Sequence, residues 1–170
     1  MTTYVALLRA VNVGGTGRLP MAELRAICSE LGFGRIETYI ASGNVVFRSS
    51  SSPAKLEAQL GQRLFAFCGK PIGVFIRSAA EMRSILANNP FSQLEPRRTY
   101  CILLREPPPA DALSAARGRS DERIELGSRE IYVHYPQGMG KSKLQIPAAR
   151  SGTARNLSTI AKLAALSARA

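Results

Sequence analysis

Gly138-Met139-Gly140-Lys141-Ser142-Lys143 sets two ammonium groups among glycines. Glycine leaves backbone N–H groups open to a ligand, so this is the composition of a loop that holds an anion. A true P-loop needs a glycine where Tyr135 stands and must run directly into a helix, for which Pro147 leaves little room. The pattern therefore predicts a looser anion loop or a glycine-rich connection with two solvated lysines. Arg9-Ala10-Val11-Asn12-Val13-Gly14-Gly15 offers a second candidate. Arg9 supplies a planar fork for phosphate or carboxylate, Asn12 an amide, and Gly14 and Gly15 close backbone approach. Ser42 and Asn44 either face the same end or satisfy the backbone of their own turn. The third candidate is Thr153-Ala154-Arg155-Asn156, read as the start of a helix. There Thr153 would cap, Arg155 and Asn156 would flank free N–H groups, and a stripe of Arg155, Thr159, Lys162 and Arg169 would extend the charge.

Other chemistry has less material. His134 is the only histidine, so any nucleophile–histidine pair would depend on it alone. No Cys-x-x-Cys, His-x-x-x-His or paired-carboxylate spacing occurs, and neither a metal site nor a cofactor is expected. Asp121, Glu122 and Glu125 alternate with Arg123 and read as solvated charge along a strand.

These residues must be positioned by alternating strands and helices. Tyr4 to Leu8 is an apolar run suited to a strand covered on both faces. Pro20 fits the first position of a helix carrying Leu24, Ile27, Cys28 and Leu31, which Gly32 and Gly34 stop. Strands over 36–40 and 45–48 flank a turn at Ala41-Ser42-Gly43-Asn44. Ser52 and Pro53 open a second helix, and 72–76 closes the unit as a strand. The order βαββαβ is that of a ferredoxin-like plait.

Ser78-Ala79-Ala80-Glu81 predicts a capping box for a connecting helix, which Asn89-Pro90 ends. A strand over 99–105, an Ala-rich helix around Leu113 and a hairpin of 123–126 with 130–135 about Gly127-Ser128 follow. With a closing helix from Thr153, the second half reads βαββα. The expected fold is α+β: two ferredoxin-like subdomains, the second lacking or borrowing its last strand. The expected division is 1–77, a connector over 78–96, and 97–170 with a basic tail.

Several stretches are distinctive as text: Ala6 to Gly15 followed by Met21-Ala22-Glu23-Leu24-Arg25, Thr38 to Phe47, and Gly138 to Leu144. Thr153-Ala154-Arg155-Asn156 and Lys162-Leu163 complete the set. In order and spacing the chain resembles the DUF1697 family of bacterial proteins over essentially its whole length. The resemblance implies an α+β architecture of two ferredoxin-like subdomains and implies no activity, because that family has no established function. Family members usually carry an aromatic after the Arg-Asn pair, where this chain has Leu157, so no stacking role is expected there.

The 170 residues carry 23 Lys+Arg against 12 Asp+Glu, a formal net charge of +11. From residue 131 to the end there is no carboxylate, while Lys141, Lys143, Arg150, Arg155, Lys162 and Arg169 all lie there. Such a segment attracts phosphates unless acids from the middle of the chain fold against it. Cys28, Cys68 and Cys101 are odd in number and widely spaced, as reduced thiols of a cytoplasmic protein would be. No stretch is long and apolar enough for a membrane helix, and the N-terminus has no signal-peptide pattern. The leading expectation is a binding module for a phosphate-bearing partner, nucleic acid first. The alternative is a small-molecule enzyme or nucleotide binder with Arg9, Asn12, Lys141 and Arg155 around a cleft between the subdomains. Tyr4 and Phe47 are the aromatics on candidate central strands, but the RNA-recognition signature is absent.

Overall fold

The apolar run at the start of the chain becomes β1 (Thr2–Arg9), with Tyr4 to Leu8 all buried as a strand covered on both faces requires. A computed structural model of the chain describes residues 1–12 and 18–169, so Gly14 and Gly15 lie outside the described residues. After β1 come α1 (Met21–Glu30), β2 (Gly34–Thr38), β3 (Asn44–Ser49), α2 (Pro53–Cys68) and β4 (Gly73–Ser78). The strands form an antiparallel sheet in the order β2-β3-β1-β4. One face packs Tyr4, Leu8, Phe47 and Ile76 into a core with Leu24 of α1 and Leu56, Leu60 and Leu64 of α2. Val5, Leu7, Val46 and Phe75, which alternate with these, are buried too.

Local signals explain most boundaries. The Ser52 hydroxyl accepts from the Lys55 N–H at 3.3 Å, Pro53 follows it, and Gly69 at φ 73° ends α2 in the left-handed conformation that favours glycine. Pro20 differs from expectation. At φ −63° and ψ 142° it is the extended residue before α1, and its carbonyl receives the Glu23 and Leu24 N–H groups. The ring fixes only φ, so proline suits this position as well as the first helical one.

The chain divides into two compact units, Met1–Arg83 with Lys162–Ala170, and Ser84–Ala161. Across the boundary runs α3 (Ala79–Ala87), started by a reciprocal box: Ser78 N–H donates to Glu81 Oε1 at 2.9 Å, and Glu81 N–H to Ser78 Oγ at 3.1 Å. The second unit contains β5 (Thr99–Leu103), β6 (Arg123–Leu126), β7 (Glu130–His134) and β8 (Thr153–Asn156); α4 (Leu157–Arg169) begins in it and ends in the first. Its antiparallel sheet has the order β6-β7-β5-β8, the same permutation as the first.

The fold is thus α+β with two four-stranded antiparallel sheets. The second half does not lack or borrow a strand: residues 153–156, expected as a helix start, form β8 along β5. That pairing satisfies backbone groups which a free helix end would leave open. What is missing is α-helix between β5 and β8. Residues 110–115 make turns, because a short segment after Pro107-Pro108-Pro109 and close before Gly118, at φ 70°, does not repay helix nucleation. Between β7 and β8 there are only 3-10 turns at Met139–Lys141 and Pro147–Ala149. The β6–β7 connection spans three residues, 127–129, with the Gly127 N–H bonded to the Glu130 carbonyl at 2.7 Å. No helix among the described residues is long and apolar enough to cross a membrane.

Candidate anion-binding site

Sheet register brings the start of β5, the start of β6 and the end of β7 to one end of the second unit, where Thr99 and Arg123 both lie opposite His134. Two chain segments meet beyond that end. Arg117 and Gln145 exchange backbone hydrogen bonds of 2.8 Å each, which ties the approach to β6 to the departure from β7. Gly118 sits at φ 70°, and a Cβ on it would lie 2.2 Å from the Lys143 carbonyl oxygen, so only glycine allows this approach. Arg98 joins the same end: its carbonyl accepts the Tyr135 N–H at 2.8 Å, and its guanidinium donates to the Pro136 carbonyl.

Between these segments lies a cavity of about 190 Å³, lined among others by Asp121, Glu122, Tyr135, Gln137, Lys141 and Lys143. Glu122 was expected as solvated charge, but it is buried. Its carboxylate accepts from the Ser120 N–H at 2.6 Å and from the Ser142 hydroxyl. The Ser142 bond foremost, then the Ser120 bond, holds its pKa below the usual carboxylate range, so it is ionised at neutral pH. Arg119 Nε donates to the Glu122 carbonyl at 2.8 Å. Burial pushes the Tyr135 phenol up to about 12, which keeps it protonated. Lys141 and Lys143 are exposed and form no ion pair among the described residues. Asp121 and Glu122 fold against this part of the carboxylate-free tail: they share the cavity with the lysines, Glu122 accepting from Ser142 and Asp121 from Gln137.

His134 lies at the same end with another role. The Thr99 hydroxyl donates to the Glu95 carbonyl at 3.0 Å and so accepts from His134 Nδ1–H at 2.9 Å, which leaves the ring lone pair on Nε2. The ring packs 6.4 Å from Phe91, over which Arg123 stands at 5.4 Å. Burial first, then Arg123 and Arg98, lower the His134 pKa against a smaller opposing effect of Asp121.

The remaining sequence candidates belong to other arrangements. Asn12 Nδ2 donates to the carbonyls of Leu19 and Ala41, both at 2.8 Å, and its Oδ1 accepts from the Leu19 N–H at 2.7 Å. Asn44 is fully buried and donates to the Tyr39 carbonyl and Ser42 Oγ, so Ser42 and Asn44 bond within their own turn. Arg9 is exposed at the end of β1. Thr153 is not a helix cap; it lies buried in β8. Asn156 caps α4 instead, its Oδ1 accepting from the Thr159 N–H at 2.9 Å.

Arg155 is buried in β8, where its Nη1 donates to Thr153 Oγ1 at 2.7 Å and to the Ala154 carbonyl at 2.9 Å. Burial lowers its pKa to about 10, still charged at neutral pH. The expected basic stripe therefore breaks at its first member: Arg155 precedes the helix, Thr159 is buried, and Lys162 and Arg169 are exposed on α4. Arg9, Asn12, Ser42, Asn44 and Lys162 fall in the first unit, and Lys141, Lys143, Thr153, Arg155 and Asn156 in the second. Tyr4 and Phe47 are buried in the first unit's helix-covered core, with Phe33 stacked on Phe47 at 4.3 Å, so neither offers a ring to a base.

Sequence reading missed Glu122 and Tyr135 as neighbours of the two lysines on the cavity wall, since the β6–β7 register and the Arg117–Gln145 pair bring them together.

A family model described as "Protein of unknown function (DUF1697)" matches residues 1–132. The chain belongs to that family. Among solved structures it is similar to the conserved bacterial protein SP0830 from Streptococcus pneumoniae, at 28% identity and a TM-score of 0.75, over 97% of this chain and 98% of that one. No curated protein matches the chain.

Proposed function

We propose that the chain is a binding module for a phosphate-bearing partner, held at the loop end of the β6-β7-β5-β8 sheet. One observation carries this reading: Lys141 and Lys143 stand exposed on a cavity wall without an ion pair among the described residues, in a chain of net charge +11. Arg98, Arg119 and Arg123 are brought to the same end and strengthen the field there. Nucleic acid is the partner that would draw on this charge most fully, through phosphate contacts rather than base stacking. A small phosphorylated ligand is the second reading, favoured by the cavity itself. The ferredoxin-like reading of both units is supported by their common strand permutation, with the helices of the second pared down to turns. Free Cys28, Cys68 and Cys101 support a reducing, cytoplasmic setting.

The test is a titration of labelled single- and double-stranded oligonucleotides, and of nucleotides, at two ionic strengths. Binding that weakens as salt rises is expected, and replacing Lys141 and Lys143 together by Glu should lower the salt slope by about one per lysine. Failure of every phosphate-bearing probe to bind at low salt would overturn the reading.

A further inference from the structure

The cavity has both signs of charge on its walls, and that mixture selects among phosphate-bearing ligands. We propose that it is a site for a small phosphorylated polyol, of the sugar-monophosphate or glycerol-phosphate class, in preference to bare phosphate or to a polyphosphate. This deepens the phosphate-binding reading and rests on it.

Size sets the first limit. The cavity measures about 190 Å³. It lies below the roughly 300–1,000 Å³ of sites for drug-sized ligands. A bare phosphate would leave much of it to water.

Charge sets the second. Lys141 and Lys143 supply cations for a phosphoryl group. Opposed to them, Glu122 is an ionised carboxylate whose oxygens are taken by Ser120 and Ser142, so it is a fixed negative wall rather than a mobile partner. Asp121 is exposed; one of its oxygens accepts from Gln137 Nε2 at 3.4 Å, and the other takes no hydrogen bond from the described residues. A polyphosphate concentrates charge against both carboxylates. An uncharged sugar offers the lysines hydroxyl acceptors but no anion. A polyol monophosphate places its anion on the lysines and donates hydroxyl protons to Asp121, so both sets of groups are satisfied at once. The Tyr135 ring, packed edge-on to Tyr100 at 5.6 Å, supplies apolar wall for the C–H side of such a ligand.

The site is also preorganised. The Arg117–Gln145 pair, the Gly118–Lys143 approach and the Glu122–Ser142 bond fix the two segments against each other before any ligand arrives.

Calorimetric titration of the full chain with a hexose monophosphate, glycerol 3-phosphate, inorganic phosphate, the free hexose and a nucleoside triphosphate tests the proposal. The polyol phosphates should bind at least about tenfold more tightly than the other probes. Asp121→Asn, at an exposed position, should remove that preference from both sides, weakening the hydroxyl contacts of the polyol phosphate and raising affinity for inorganic phosphate by removing a repelling charge, and Lys141→Glu with Lys143→Glu should remove binding of both. Amide shifts in the wild-type chain should move in 118–122 and 137–143. Equal affinity for inorganic phosphate and polyol phosphate, tighter binding of the triphosphate, a preference retained in Asp121→Asn, or shifts confined elsewhere would each overturn the polyol assignment. Oligonucleotide binding without polyol phosphate binding would sink this inference and leave the broader reading standing. If no phosphate-bearing probe binds at all, both fall.

Discussion

Asn12 shows how a residue typed for ligand contact can be used up by the fold. At φ 56° it occupies the left-handed region that asparagine tolerates better than most residues, and its amide bridges the Leu19 and Ala41 segments through three hydrogen bonds. Nothing in the type or spacing of an asparagine separates this role from ligand binding, since both use the same donors and acceptor. Asn12→Ala should cost about 2 kcal/mol in denaturant unfolding through lost hydrogen bonds and a strained φ, with phosphate affinity unchanged. His134 was legible as a strand residue but not as a titrating one, because its partner Thr99 lies in another strand. Burial, Arg123 and Arg98 lower its folded pKa below its ordinary value of 6.5. The unfolded chain therefore binds the proton more readily, so the contribution of neutral His134 is complete above that ordinary value and is lost as pH falls through the folded pKa. Unfolding free energy should drop as pH is lowered from neutral into the mildly acid range, and His134→Gln should flatten that part of the profile.

At the scale of elements, signals held within one turn of chain were readable and signals made between distant strands were not. Ser78 with Glu81 and Ser52 with Pro53 each act inside one helix start, and both occur as their spacing implies. Thr153 to Asn156 could open a helix by the same local rules, yet pairing with β5 takes all four residues and moves the cap to Asn156. Sequence does not display that competition, because the β5 partner lies some fifty residues earlier in the chain. The anion site follows the same logic. Its lysines were visible in a glycine-rich loop, whereas Glu122 and Tyr135 reach them only through the β6–β7 register. Asn156→Ala should destabilise the fold by about 1 kcal/mol, the usual cost of losing a side-chain N-cap. Thermal unfolding of that variant beside Ser158→Ala, which alters the first turn of α4 without touching the cap, separates capping from helix propensity.

At the scale of the whole molecule the net charge is +11, and this makes stability and binding respond oppositely to salt. Among the described residues Arg63–Glu30 is an ion pair, but Lys141, Lys143, Lys162 and Arg169 form none, in a chain of net charge +11. Folding draws these like charges closer than they sit in the expanded unfolded chain, so repulsion opposes the compact state at low ionic strength. Raising salt from about 0.01 M to about 0.15 M shortens the screening length from about 30 Å to about 8 Å. That relieves repulsion between distant groups on the folded surface, and Tm should rise. The same screening weakens attraction for a phosphate-bearing partner, whose affinity should fall over the same range. A protein whose basic residues were neutralised by its own carboxylates would show the reverse for stability, since salt would then weaken favourable contacts. Melting curves and oligonucleotide titrations along one salt series read both quantities on the same sample. A Tm that fell with added salt would mean that the surplus positive charge is balanced within the fold and is not available to a partner.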